Sequence, residues 1–148
     1  MPGSRKRTPP QQENDVTEFA MALFRLVETL RGEHEEAAAS VGLTASQATI
    51  LTLLSEPHSM RTFADQMGCD ASNITGIVDR LEAKRLVERS ADATDRRVKL
   101  IARTPAGEAA VKQFQRKLLS ASSLAKLTPK ARQGLLVALA EVQGSTTQ

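Results

Sequence analysis

The hydrophobic period of this chain changes twice, and the change bounds what it can fold into. Up to Lys84 apolar residues recur at helical spacing. Across "LVERS" and "VKLIAR" they alternate toward a period of two, and from "TPAGEAAVKQFQRKLL" the helical spacing returns. The pattern predicts a mainly α chain with one small β-hairpin, in the order four helices, hairpin, two helices. Composition agrees: with four Phe and no Trp or Tyr, the core must be built from Leu, Ile, Val, Ala and Met. That set suits packed helices better than an aromatic-rich β-sandwich.

Local punctuation places the helices. Val16, Phe19, Ala20, Leu23, Val27 and Leu30 form the stripe of a long amphipathic helix starting at Asp15. Gly42 stops it, and Thr44 with Gln47 writes a capping box ahead of Ile50, Leu51, Leu53 and Leu54, in a helix ending near Pro57. Ser59 caps "MRTFADQM", Gly68 closes it, and Asp70 or Ser72 caps the next helix. The last two helices each open Thr-Pro, an N-cap followed by the proline tolerated at the first helical position. Residues 1–14, Pro-rich, polar and basic, read as a flexible tail, and 15–148 as a single domain.

In "DASNITGIVDRL", Asp70 to Leu81, a helical wheel puts Ile74, Ile77, Val78 and Leu81 on one stripe. Gly76 falls on the opposite face, beside Ser72, Asn73, Asp79 and Arg80, with Thr75 on the flank. Glycine costs about 1 kcal/mol relative to alanine in a helix interior. On a polar face that cost has no packing return, so the residue reads as a place where a partner approaches the backbone. Ser72, Asn73 and Thr75 are short donors and acceptors able to reach base edges in a major groove. Arg80, Lys84 and, on the preceding helix, Arg61 would meet phosphates.

The loop "ADATDRR" sharpens this reading. A hairpin directly after a recognition-type helix is a wing, and Arg96 and Arg97 sit at its tip, where arginine suits a narrow minor groove. Asp95 is expected to hold a facing guanidinium, and Asp79 to pair with a wing arginine. The net charge of +3 and a pI near 9.4 permit a nucleic-acid partner.

Three segments, "GLTASQATILTLL", "FADQMGCDASNITGIVDRLEAKRLVER" and "DRRVKLIARTPAGE", in this order and spacing resemble the MarR family of bacterial and archaeal transcriptional regulators. The resemblance spans roughly Val16 to Val142. It implies a homodimeric winged helix-turn-helix protein, with residues 44–104 as the DNA-reading unit and helices over 15–42 and 105–143 as the dimerisation region. It also implies a double-stranded operator and repression relieved by a small-molecule effector whose pocket the sequence does not identify; the cytoplasmic location expected for the chain comes instead from its single cysteine and the lack of a membrane-length apolar run. Arg103 departs from the family's wing pattern, which places leucine there, whereas Asp95, Arg97 and Thr104 match it.

Other readings are narrower. No nucleophile–base pair, paired carboxylates or metal set stands at workable spacing, so no enzyme, cofactor or metal is expected. His34 with Glu33, Glu35 and Glu36 reads as a solvated helical face or, at most, part of an effector pocket. No apolar run reaches the roughly 18 residues of a membrane span. Cys69, the single cysteine, admits no internal disulfide. It stands either as a small turn residue or as a thiol sensor near a helix N-terminus. A winged helix used only for protein interaction is the remaining alternative.

Overall fold

The structure is a computed structural model that describes residues 10–68 and 71–144. The tail before Pro10, Cys69 and the expected cap Asp70 lie outside the described residues. α1 runs Pro10–Ser40 and therefore starts earlier than the expected Asp15, with proline at its first position, where a missing N–H costs nothing. The chain divides into two compact units after Gly32. In the first, Val16, Phe19, Phe24 and Val27 are exposed.

The second unit holds the core. α2 (Ala45–Leu53) opens on the expected capping box: Gln47 N–H donates to Thr44 Oγ1 at 3.2 Å, and Thr44 N–H to Gln47 Oε1 at 3.1 Å. α2 ends well before Pro57. α3 (Met60–Met67) begins at Ser59, whose Oγ accepts from Thr62 N–H at 3.1 Å, and ends at Gly68 in the left-handed region. α4 (Ala71–Ala83) already includes Ser72, so Ser72 is not its cap. The turn after α4 is a Schellman closure in which Leu86 N–H reaches Leu81 C=O at 3.0 Å and Arg85 takes φ 57°.

β2 (Val87–Ala91) and β3 (Lys99–Arg103) pair antiparallel, Val87 facing Arg103 and Ala91 facing Lys99. The sheet has a third member that the sequence reading missed. His58–Ser59 forms β1 and pairs with β3 opposite Ile101 and Leu100, giving the order β1-β3-β2. Two residues display no period, which hid the strand. α5 (Pro105–Ala121) is capped by Thr104, whose Oγ1 accepts from Gly107 N–H at 3.0 Å. A 3₁₀ turn, Ser123–Lys126, leads to α6 (Pro129–Gly144), capped by Thr128.

Leu51, Leu54, Phe63, Ile74, Val78, Leu81, Val87 and Ile101 are fully buried and join α2, α3, α4 and the sheet into one apolar cluster. At about 1.5–3 kcal/mol for each large side chain, this burial fixes which way α4 faces. α6, by contrast, buries no residue, and Leu136, Val137, Leu139 and Val142 are exposed. No helix among the described residues is long and apolar enough to cross a membrane.

Candidate nucleic-acid interface

Burial of Ile74, Val78 and Leu81 on one side of α4 turns Ser72, Asn73, Thr75, Asp79 and Arg80 to the exposed side. Gly76 lies among them. A Cβ built on it meets nothing within 4 Å, so packing inside the chain does not require glycine there. Arg61, in the first turn of α3, is exposed as well.

The wing turn is organised by carboxylates acting on the backbone. Asp92 Oδ1 accepts from Thr94 N–H at 2.7 Å, from Asp95 N–H at 3.0 Å and from the Thr94 hydroxyl. These donors hold the Asp92 carboxyl below its ordinary pKa, the Thr94 hydroxyl contributing most, followed by the amides of Asp95 and Thr94. Asp95 Oδ1 then accepts from Arg97 N–H at 3.0 Å, and Val98 N–H closes on Asp95 C=O at 2.9 Å. Arg96 and Arg97 project from this turn into solvent. Asp95 thus grips the backbone of Arg97, in place of the expected clamp on its guanidinium, because a residue two positions away in a tight turn presents its amide first.

Wing and helix are tied together by Arg89 on β2, whose Nη2 donates to Asp79 Oδ1 at 2.5 Å while Nη1 pairs with Glu82. The hydrogen bond that Arg89 donates to Asp79 is the main cause that holds its guanidinium above the ordinary value. The charges of Glu82 and Asp79 add to it against the opposing effect of burial.

Residues 43–99 match the sequence model of the MarR family. That match lies within the winged helix of this chain. The chain is 36% identical over 77 residues to the uncharacterized HTH-type transcriptional regulator YpoP of Bacillus subtilis (strain 168). That match covers 51% of this chain and 55% of YpoP, so the chain spans about half the length of the curated relative. It is similar to CouR from Rhodococcus jostii RHA1, solved bound to p-coumaroyl-CoA, at TM-score 0.71 and 28% identity, over 84% of this chain and 90% of that one. It shares the fold of a mutant MarR from E. coli complexed with operator DNA, at TM-score 0.70 and 21% identity, over 87% and 96% of the two chains. MarR-family members are transcriptional regulators, not enzymes.

Within this winged-helix unit, the structure brings together Ser72, Asn73, Thr75, Gly76 and Arg80 on one helix face and Asp95, Arg96 and Arg97 on one turn. Lys84 is exposed at the end of α4, and its Nζ donates to Gly42 C=O at 2.5 Å, tying the end of α4 to the turn after α1. Asp79 has the expected wing-arginine partner, which is Arg89 on the first strand of the wing. The sequence passed over Arg89 because "VERS" shows only a charged strand edge. A carboxylate on the exposed face of a helix followed by a strand that carries an arginine was the available signal.

The stretch "EHEE" is not the solvated face it resembles. Glu33 Oε1 accepts from Ser123 N–H at 2.8 Å, and His34 stands 3.4 Å from Thr49 Oγ1 with its ring edge-on to Phe114 at 5.0 Å. Glu35 and Glu36 alone are exposed. His58 stacks on Phe63 elsewhere, 3.7 Å from Glu56. Among the described residues no group of three or more His, Cys, Asp or Glu is arranged to hold a metal ion.

Proposed function

We propose that this chain is a homodimeric, sequence-specific DNA-binding transcriptional regulator, a repressor released from its operator by a small-molecule effector. The observation that carries the reading is the open backbone at Gly76, centred on a polar helix face whose orientation is fixed by a buried opposite face. In this reading α4 enters the major groove. Ser72, Asn73 and Thr75 meet base edges, Arg61 and Arg80 meet phosphates, and Arg96 and Arg97 reach the adjacent minor groove. Asp95, Asp79 and Lys84 position these groups.

Dimerisation is supported by the exposed apolar residues of α6 and of the first half of α1. On each of these helices, exposed apolar side chains in such number are what an interface between copies would cover. A two-fold dimer sets its reading helices about one DNA turn apart, roughly 34 Å, and calls for a pseudo-palindromic operator. The ligand reported with CouR supports a small-molecule effector here. Such a ligand shifts operator affinity by its differential affinity for the two dimer arrangements and by no more.

Binding-site selection from a random duplex library with the purified full chain tests the reading. The expected result is an enriched inverted repeat, bound far more tightly than scrambled duplex and with a steep dependence on salt. Binding that is weak and blind to sequence would point instead to a winged helix used for protein interaction.

A further inference from the structure

The end of α2 leaves carbonyl groups that the helix itself does not satisfy. Ser55 N–H, which in a continued helix would close on Leu51 C=O, turns instead to Leu53 C=O at 2.8 Å. The guanidinium of Arg103 comes to the vacated position, with Nη1 3.5 Å from Leu51 C=O, where a cation also favours the negative end of the helix. Its Nε stands 2.9 Å from Glu108 Oε1 in the first turn of α5, an ion pair without the alignment of a hydrogen bond. The Arg103 side chain is only 11% exposed.

One largely buried cation therefore touches three elements: β3, which carries it, the end of α2 and the start of α5. Stability alone does not account for it, since Glu108 is half exposed and a solvent-screened ion pair contributes little to folding. A directional link is what the charge adds. The same junction is drawn tight from the other side, where Thr104 N–H reaches Leu86 C=O at 3.1 Å and Thr104 Oγ1 donates to Arg85 C=O at 2.8 Å.

We propose that Arg103 is a positioning residue that couples the wing to α5 through Glu108, so that any tilt of α5 is delivered to Arg96 and Arg97. It acts through these contacts and touches no DNA. The proposal rests on the DNA-binding reading above for its functional consequence, but the coupling itself is a property of the folded chain.

The test uses the full chain with Arg103→Leu, Arg103→Lys and Glu108→Gln. Hydrogen exchange reads the coupling directly. Amides from Lys99 to Gly107 should exchange faster in Arg103→Leu and Glu108→Gln alike, with the double variant no faster than the first alone. Arg103→Lys, which keeps the charge but not the fork, should recover protection in part. Operator titrations read the consequence. Arg103→Leu should lose roughly tenfold in operator affinity, keep its affinity for scrambled duplex and keep the wild-type salt slope.

Unchanged exchange in both single variants would overturn the coupling, whatever the DNA results. A salt slope reduced by about one in Arg103→Leu would also overturn it, because that change marks a direct phosphate contact. If the wild-type chain shows no operator preference at all, the functional reading fails on its own, and the exchange data still decide the role of Arg103. If Arg103→Leu does not fold, Arg103→Lys and Glu108→Gln carry the same exchange test.

Discussion

Arg89 on the first wing strand holds Asp79 on the exposed face of α4 at 2.5 Å, so the carboxylate on the face proposed to meet DNA is already paired. The pair and its companion Glu82 are partly exposed, and water screens them. Their contribution to folding is therefore about 0.5–1 kcal/mol. Arg89→Met should lower the unfolding free energy in urea by about that amount. It should cost more in operator affinity, about tenfold, because Asp79 is left facing phosphate unpaired. Adding Asp79→Asn should restore much of the loss in a fluorescence anisotropy titration.

Gly76→Leu separates folding from recognition. A side chain at this position enters open space and improves helix propensity. The melting temperature should stay level or rise slightly, the association state should stay unchanged, and tight operator binding should disappear. Native affinity in an anisotropy titration would remove the close-approach argument.

Gly107 gives the opposite result for a physical reason visible in the backbone. A Cβ there would stand 2.0 Å from Leu86 C=O, the same carbonyl that accepts from Thr104 N–H. Gly107→Ala must displace backbone, and overpacking of this kind costs about 1–3 kcal/mol. Chemical denaturation should show the loss. Gly76→Ala, measured alongside, should not.

The wing turn carries its own pH limit. The Asp92 carboxyl is held below its ordinary pKa by donors that bind its charged form, the Thr94 hydroxyl foremost. Its contribution is therefore complete above about pH 4 and is lost only as pH falls through the lowered value. Amide resonances of Thr94 and Asp95 should stay unchanged from pH 8 to 5 and shift at more acid pH. Asp92→Ala should loosen the same amides at neutral pH and weaken operator binding.

What could be read from the sequence was what the chain settles locally. Thr44 with Gln47, Ser59 before its helix and Thr104-Pro105 act within a single turn, so their spacing is their mechanism. The stripe through Ile74, Val78 and Leu81 likewise oriented the reading helix before any contact was known. Pairings across elements were hidden. Arg89 reaches Asp79 through the packing of a strand on a helix, Lys84 turns back to Gly42, and Arg103 finds Leu51 and Glu108, and none of these distances is encoded in neighbouring letters. Asp95 was assigned to the right residue but to the wrong atoms, since side-chain charge is easier to read from a sequence than a backbone amide.

α6 has its own consequence. A helix of this length with no buried residue has little to hold it beyond its own hydrogen bonds, which in water leave an isolated helix marginal. Its order is then supplied by whatever covers Leu136, Val137, Leu139 and Val142, and when the cover is a second copy, mass action governs it. Dilution would do to this segment what heat does to the others. The number of copies in a cell would then set how much complete regulator exists, before any operator or effector is considered.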